Sequence, residues 1–316
     1  MSKLAEYESE ELTPKEIVDT AIKEHGIKKL YVLFSGGKDS VCVLHYIATN
    51  YPDQFAGAVF TNTGLGSTQT RKFVIDYCKQ MGWKLWLTWN GTGADGIQDR
   101  KRFSELVLEH GFATAGSHRI WMGYLKFHTW YYFGKWRRNC GEKFAFISGV
   151  RRKESRQRSK VKKYSKTPVD VNATMVFIKP FLYKNGVQLW DYFLENALAK
   201  TPVYEWLNRS GECYCGAFTE DWDLKLLEKF DPLAFSTIRH YEKMIREKGT
   251  AEAKKNGVWG SKTHSKIKTR TTEDVIHQTQ LDGFGIEVNE DYCGESCMVY
   301  DGDDDGSDEP EKFSEL

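Results

Sequence analysis

Residues 31–40 read YVLFSGGKDS, and residues 41–48 continue VCVLHYIA. Four apolar or aromatic residues run into Ser35-Gly36-Gly37-Lys38-Asp39-Ser40, and a helix-compatible apolar run follows. That order predicts a buried strand, a glycine turn and a helix. At such a junction, residues with little or no side chain let backbone N–H groups turn inward as an anion nest. The helix N-terminus adds its partial positive charge. Gly36 and Gly37 supply the backbone freedom, Ser35 and Ser40 the hydroxyl donors, and Lys38 the positive charge. Asp39 is out of place against phosphate unless it holds Mg²⁺ or a ligand hydroxyl. The stretch is not a Walker A loop, which has four residues between its first glycine and Gly-Lys-Ser/Thr. The plain alternative is a tight βα turn with no ligand, but six matching residues behind an apolar strand favour a phosphate cradle.

Outward from the loop, strand and helix patterns alternate. Thr13-Pro14-Lys15-Glu16 opens a helix, with Thr as N-cap, Pro in the first turn and Glu completing a capping box; Gly26 is its stop. KKLYVLF (28–34), FAGAVFTNTG (55–64) and KLWLTWN (84–90) read as strands, separated by helices over 41–50 and 73–82. FAFISGV (144–150) and ATMVFIKPF (173–181) read as further strands. This repetition predicts an α/β fold, a doubly wound parallel sheet with crossover helices. Past about residue 205 the pattern changes to helices over 221–230 and 233–248, then a weakly patterned Lys/Thr-rich region to 272. The expected organisation is an N-terminal helix (1–27), a nucleotide-binding α/β domain (28–210), a cysteine-bearing C-terminal appendage (211–300) and a disordered acidic tail (301–316).

Composition sets outer bounds. With 316 residues, 40% hydrophobic and 28% charged, the chain resembles an ordinary soluble protein with a real core. The net charge of +1 averages a basic run, RRKESRQRSKVKKYSK (151–166), with the acidic DGDDDGSDEPEKFSEL (301–316). The acidic run has too little apolar content to offset its ordering entropy. The N-terminal MSKLAEYESEEL has neither a basic n-region nor an apolar h-region, and no apolar run approaches about 18 residues. A cytoplasmic location without membrane contact is expected, where the seven cysteines are thiols or metal ligands.

SGGKDS resembles the PP-loop of the adenine-nucleotide alpha-hydrolase superfamily, which grips the pyrophosphate of ATP or the matching phosphate of a related nucleotide. Three further stretches are similar to the phosphoadenosine phosphosulfate (PAPS) reductase family. VFTNTGLGSTQTRKFV (59–74) resembles its strand followed by Asp-Thr-Gly, with Asn62 standing where the family usually has Asp. FISGVRRKESRQRS (146–159) resembles its Gly-x-Arg-x-x-Glu-Ser-x-x-Arg segment. KPFLYKNGVQLWDYFLENALAKTPVYEWLNRSGECYC (179–215) resembles the Pro-x-x-x-Trp, Pro-x-Tyr and Gly-Cys-x-x-Cys run that closes the domain. The resemblance implies that Ser35, Gly36, Gly37 and Ser40 bind phosphate and that Lys38 and Asp39 are catalytic, Asp39 contacting Mg²⁺ or positioning the nucleotide. It places Thr63 and Gly64 against an adenosine at the topological switch point. Arg151, Arg152, Glu154, Ser155 and Arg158 would line the anion-binding side, where arginine forks suit phosphate or sulfate. Lys160, Lys162, Lys163 and Lys166 lie beyond the pattern and read either as a solvated face or as a patch along a nucleic-acid backbone.

Two cysteine pairs remain, Cys213-Tyr-Cys215 and Cys293-Gly-Glu-Ser-Cys297. Four thiolates brought together would satisfy a [4Fe–4S] cluster or tetrahedral Zn²⁺, although these spacings fit neither the usual ferredoxin run nor the commonest zinc pattern. Resemblance to related PP-loop proteins, which often hold a cluster near this point, favours [4Fe–4S]; Zn²⁺ and no metal stay open. Cys42 and Cys78 fall inside helix patterns and read as small buried hydrophobes. Cys140 reads as a fifth ligand, a reactive thiol beside positive charge, or neither. His118, Lys126 and His128 fall in a Trp/Tyr-rich stretch (118–136) that is either core or pocket wall, and 254–270 is either a solvated loop or a nucleic-acid-facing one.

Three functions follow. An ATP-using enzyme would cleave ATP to AMP and pyrophosphate, adenylylating an acceptor such as tRNA or a DNA backbone so that a sulfur donor can displace AMP. A phosphosulfate reductase would release sulfite using a nucleophilic cysteine and a thiol reductant; against it, the family's late Glu-Cys-Gly-x-His segment is missing, and Tyr292–Cys297 is its nearest approach. A non-catalytic nucleotide- or metal-binding subunit is the third, and it leaves the complete loop unexplained.

Overall fold

The structure, a computed structural model, describes residues 12–89, 102–152, 167–172, 175–220, 222–260 and 314–315. Helix α1 (Pro14–His25) starts as the sequence predicts. Glu16 N–H donates to Thr13 Oγ1 at 3.3 Å, Thr13 N–H donates to Glu16 Oε2 at 2.8 Å, and Gly26 ends the helix in the left-handed region at φ 62°. Strand β1 (Lys29–Leu33) follows, then α2 (Lys38–Asn50), β2 (Phe55–Asn62), α3 (Thr68–Gln80) and β3 (Leu85–Trp89). Helix α3 begins at Thr68, before the expected 73, because the Ser67 hydroxyl caps it by accepting from Gln69 N–H at 3.2 Å.

Helix α4 (Phe103–His110) leads to a long helical run, α5 (His118–Met122) and α6 (His128–Asn139), joined through a wider π turn at Gly123–Phe127. The sheet then resumes with β4 (Phe144–Ile147), β5 (Val169–Asn172) and β6 (Met175–Ile178), followed by α7 (Gly186–Glu195), α8 (Val203–Leu207), α9 (Asp223–Phe230), α10 (Pro232–Lys248) and α11 (Ala251–Lys255). Ser314–Glu315 form β7, so these two residues of the acidic tail are strand, whereas 301–313 lie outside the described residues.

Sheet order is β5-β6-β4-β1-β2-β3-β7. The strands β6, β4, β1, β2 and β3 are parallel; β5 runs antiparallel on β6 and β7 antiparallel on β3. Strand β1 is central and buried on both faces. Leu30 and Val32 pack into one apolar cluster with α1, α2 and α3, and Tyr31 into a second with Phe133, Phe146 and Trp86. Strand β5 has no apolar run to announce it. It follows Pro168, alternates Val169-Asp170-Val171-Asn172, and holds its edge position partly through Asp170, whose carboxylate receives Lys179 Nζ at 2.6 Å.

The expected boundary at 210/211 does not coincide with a break in packing. Leu226, Leu227, Ile238, Ile245 and Trp259 share one buried cluster with Phe103, Leu106, Val107 and Trp121 from the first half of the chain. Each such side chain, once fully buried, contributes about 1.5–3 kcal/mol. The described part of the C-terminal region is therefore held to the body by apolar packing. Among the described residues no helix is long and apolar enough to cross a membrane.

Candidate functional site

From β1 the chain moves to β2 and β3 on one side, and only later to β4 and β6 on the other. The loops leaving β1 and β4 therefore diverge, and a crevice opens between them at the carboxyl ends of the strands, the position where ligands bind in open α/β sheets. The loop after β1 carries Ser35, Gly36 and Gly37; the loop after β4 carries Gly149, Arg151 and Arg152. Two of the predicted site segments thus meet across the crevice. Thr63 and Gly64 follow β2, the strand beside β1 on its other side.

The cradle is built from local constraints. Gly36 has φ +75°, a conformation that favours glycine, and its carbonyl accepts from Thr201 N–H at 3.0 Å. Gly37 precedes α2 with no side chain to cap it, so it leaves first-turn N–H groups for an anion. The Ser40 hydroxyl donates to the Gly37 carbonyl at 2.8 Å, accepts from Ser35 N–H at 3.2 Å and lies 3.1 Å from Ser35 Oγ. The serines thus also hold the turn in shape.

Arg151 crosses from the β4 loop to the α2 N-terminus, where its Nε donates to Asp39 Oδ2 at 2.8 Å. Lys38 Nζ lies 3.7 Å from Asp39 Oδ1 and 5.3 Å from the centre of the Trp190 ring. Both carboxylate oxygens therefore face cations. Asp39 thus ties the β4 loop to the first turn of α2. Arg152 stacks on Tyr183 at 4.8 Å and donates its N–H to the Leu182 carbonyl at 2.8 Å. Glu154, Ser155, Arg158, Lys160, Lys162, Lys163 and Lys166 lie outside the described residues.

Thr63 serves the cysteine loop. It is buried, and its hydroxyl donates to the carbonyls of Glu212 at 3.2 Å and Leu65 at 3.4 Å. Tyr214 N–H donates to the Leu65 carbonyl at 2.7 Å, and Ser67 N–H to the Gly211 carbonyl at 2.8 Å. A Cβ on Gly66 would lie 2.3 Å from the Glu212 oxygen, so only glycine permits this approach. Gly64 N–H is held by Asn62 Oδ1 at 3.1 Å, the residue that replaces the family's usual Asp.

The loop so held lines a cleft of about 290 Å³ with His118, Trp121, Lys126, Cys213 and Cys215. Lys126 forms an ion pair with Glu212. Burial works to lower the Lys126 pKa, but Glu212 and Cys213 outweigh it and leave it raised. The Cys213 thiol is brought down to about 7, first by a hydrogen bond from Cys215, against burial, and with help from Lys126 and Thr63. The same hydrogen bond, together with burial, pushes Cys215 well above its ordinary value. Cys213 is thus the more acidic of the two sulfurs, and Cys215 the one that keeps its proton to higher pH.

Within the aromatic stretch, Lys126 is the residue that lines the cysteine cleft and pairs with Glu212. His118 lines the cleft edge-on to Phe218 with ring centres 4.9 Å apart, while His128 packs against Tyr124 at 5.2 Å. Cys42 and Cys78 are buried, and burial pushes both thiols up to about 12, as expected of inert core cysteines. Cys140 is exposed and ends α6 just before β4, at the amino ends of the strands. The strands separate it from Cys213, so the two cannot ligate one ion. Cys293 and Cys297 lie outside the described residues. Among the described residues no three His, Cys, Asp or Glu side chains gather as metal ligands. Cys213 and Cys215 have the chemistry of two thiolate ligands and no more.

Sequence reasoning missed Trp190 and Lys200. Trp190 lies inside the quoted Pro-x-x-x-Trp run, which gave a signal for its presence but none for its contact with Lys38. Lys200 carries no motif signal; only the fold brings it beside the loop.

A family model for the phosphoadenosine phosphosulfate reductase domain matches residues 29–214, more than half of the chain. The chain belongs to this family, within the PP-loop superfamily, and carries a PAPS reductase-like nucleotide-binding domain. No curated protein matches it in sequence. Among solved structures, a PAPS reductase from Candida auris in a phosphate complex is 16% identical with a TM-score of 0.40, over 62% of this chain and 85% of that one. An FMN adenylyltransferase from Candida glabrata in complex with ATP is 14% identical with a TM-score of 0.36, over 61% of this chain and 56% of that one.

Proposed function

We propose that this chain is an ATP-using enzyme that places the nucleotide phosphates in the crevice between β1 and β4 and cleaves ATP to AMP and pyrophosphate. The observation that carries this reading is the convergence of an uncapped helix N-terminus, Ser35, Ser40, Lys38 and Arg151 at the switch point. An acceptor oxygen attacks the α-phosphorus, the bond from that phosphorus to the bridging oxygen breaks, and pyrophosphate leaves with the electron pair. Lys38, Arg151 and the helix N-terminus offset its developing charge, in positions fixed beforehand. Sulfur then attacks the adenylylated centre and AMP departs. A nucleic acid, tRNA or DNA, is the acceptor class this reading takes, with the basic run beyond Arg158 as its backbone contact. Cys213 and Cys215, with Cys293 and Cys297, would hold the [4Fe–4S] cluster or Zn²⁺ of this reading. Such a group would supply sulfur handling or a structural tie.

The Cys213 thiolate beside Lys126 favours a second reading, phosphosulfate reduction. There the thiolate attacks the sulfate sulfur, the sulfur–oxygen bond to phosphate breaks, and the nucleotide leaves. A thiol reductant then attacks Cys213 Sγ and releases sulfite, with a disulfide formed.

The test is a titration of anaerobically purified full-length protein with Mg·ATP, adenosine phosphosulfate and PAPS, each with and without a nucleic-acid acceptor (tRNA or DNA) and a thiol reductant, following pyrophosphate and sulfite in the same samples. Pyrophosphate release from ATP is the expected result. Thiol-dependent sulfite release without ATP cleavage would replace the first reading by the second, and nucleotide binding with neither product would overturn both.

A further inference from the structure

A cavity of about 370 Å³ opens at the amino ends of β1, β2 and β3, against the last turn of α6. The length of β1, about 15 Å at about 3.3 Å per residue, separates it from the phosphate loop. Nucleotide crevices form at the opposite, carboxyl end of such a sheet, so neither chemistry proposed above uses this cavity. A bulge shapes this end of the sheet. Leu30 pairs with Phe55 but Tyr31 with Gly57, which leaves Ala56 as the extra residue. Trp86 Nε1 donates to the Ala56 carbonyl at 3.0 Å. Gly57 follows at φ +120°, and a Cβ there would lie 2.6 Å from the Lys84 carbonyl oxygen, so the bulge depends on glycine.

The cavity is positively charged. Lys29, Lys84 and Arg137 line it against a single carboxylate, Glu142. That carboxylate is already occupied. Its Oε2 accepts from the Tyr31 hydroxyl at 2.7 Å and from Arg137 Nε at 3.0 Å, and its Oε1 pairs with Arg137 Nη2. Among the described residues no hydrogen bond or ion pair takes up Arg137 Nη1 or Lys29 Nζ. Lys84 Nζ and the Arg137 guanidinium both lie over the Trp86 ring, 4.2 and 4.9 Å from its centre, so their separation cannot exceed the sum of those distances. An aromatic face orients a cation without cancelling its charge. Like charges gathered in this way are unfavourable until an anion joins them.

Size and walls narrow the choice of anion. Small-molecule pockets run from about 300 to 1,000 Å³, so this one holds a small ligand and no polymer. Phe55 and Trp83, both partly exposed, meet edge to face with ring centres 6.0 Å apart and form an aromatic wall. A bare phosphate would meet the cations and leave that wall wet, whereas a flat aromatic acid uses both. We propose that this cavity is a second binding site, for a small aromatic carboxylate held by Lys29, Lys84 and Arg137 with its ring against Phe55 and Trp83.

Calorimetric titration of the full-length protein with 2-naphthoate, neutral 2-naphthamide and orthophosphate tests the site, using wild type, Lys84→Met, Lys84→Arg and Lys38→Met. Wild type is expected to bind 2-naphthoate with Kd below about 1 mM, and the amide and orthophosphate at least about tenfold more weakly. Lys84→Met should weaken naphthoate at least about fivefold, while Lys84→Arg stays within about threefold of wild type. Lys38→Met, at the phosphate loop, should leave naphthoate binding unchanged. Thermal melts check that each variant is folded. Wild type that fails to bind naphthoate, or folded Lys84→Met that binds it as well as wild type does, overturns the proposal. Loss of binding in Lys38→Met would place the probe in the nucleotide crevice and overturn it too. Orthophosphate binding as tight as naphthoate would show that the aromatic wall selects nothing, and the assigned ligand class would be wrong.

Discussion

Gly149 sits where the β4 loop meets the first turn of α2, and replacing it by alanine tests whether that contact holds the crevice together. A Cβ at this position would lie 2.9 Å from the Asp39 carbonyl oxygen, 3.0 Å from its carbon and 3.2 Å from Ser40 N. Ordinary contact begins at 3.4 Å, so the loop must retreat by about 0.5 Å. All three obstructing atoms are backbone, so no side-chain rotation relieves the clash. Retreat carries Arg151, two residues on, away from Asp39, where Nε now lies 2.8 Å from Oδ2. Overpacking of this kind costs about 1–3 kcal/mol, and stretching a largely buried ion pair adds part of the about 3–5 kcal/mol that losing one partner would cost. The expected loss is about 2–4 kcal/mol of stability, with anion affinity down by at least about tenfold.

Urea unfolding and a pyrophosphate titration measure the two effects separately. Gly123→Ala is the control. Gly123 has helical φ −54° and nothing within 4 Å of its would-be Cβ, so alanine there is expected to be neutral or stabilising by up to about 1 kcal/mol. If Gly149→Ala unfolds within about 0.5 kcal/mol of wild type and binds the anion unchanged, the loop is not seated on α2 as described and the crevice is not shaped by that contact.

Three further outcomes are expected. Gly66→Ala, whose Cβ would fall 2.3 Å from the Glu212 oxygen, should cost at least about 3 kcal/mol and speed alkylation of Cys213; unchanged stability in urea would contradict the described docking of the cysteine loop. In reduced, metal-free protein, iodoacetamide labelling of Cys213 should rise through pH about 7, and Lys126→Met should move that rise upward; a profile that ignores Lys126 would remove its electrostatic role. Burial raises the Glu142 carboxyl, but hydrogen bonds from Arg137 and Tyr31 more than offset it and hold it below its ordinary 4.5. Its contribution to stability is thus present above that value and lost as pH falls through the folded pKa, so Glu142→Gln should flatten the melting temperature between pH about 5 and about 3.

The parts of the site that were legible in the sequence are the local ones. Strand β1, its loop and α2 follow from an apolar run ending in two glycines, because those residues act on their own backbone. Glycine at 149 was visible, but its reason was not, since the Asp39 carbonyl it must clear is distant in sequence. Thr63 was placed against the nucleotide by its resemblance to the family's Asp-Thr-Gly segment; nothing in its identity says that its hydroxyl reaches the Glu212 carbonyl. Strand β5 escaped notice because an edge strand needs little apolar content. The C-terminal helices showed their period but not their partner, since the tilted contact of Phe103 with Tyr241, ring centres 5.3 Å apart, joins halves of the chain with no local sign of each other.

One consequence of that long-range packing bears directly on group transfer. The phosphate loop and the cysteine loop belong to a single hydrogen-bonded network. Gly36 accepts from Thr201, Thr201 meets Thr70, Thr70 donates to Ser210, Ser67 donates to Gly211, and Thr63 donates to Glu212. Thr63, Ser67, Thr70 and Thr201 are all buried, so each broken link leaves a polar group without water to replace its partner, at about 1–3 kcal/mol. A Cβ on Gly37 would touch Ser210 at 3.3 Å, so the two loops are in near contact as well as bonded. A phosphate seated on α2 and a sulfur carried on Cys213, as proposed above, would consequently be held in fixed relation by buried bonds. A reaction between a nucleotide and a sulfur nucleophile needs that fixed geometry, because misplacement of the reacting groups by about 1 Å can cost about 100-fold in rate. Either proposed chemistry would draw on the same network, and the two differ in whether the sulfur meets an adenylylated acceptor or the phosphosulfate itself.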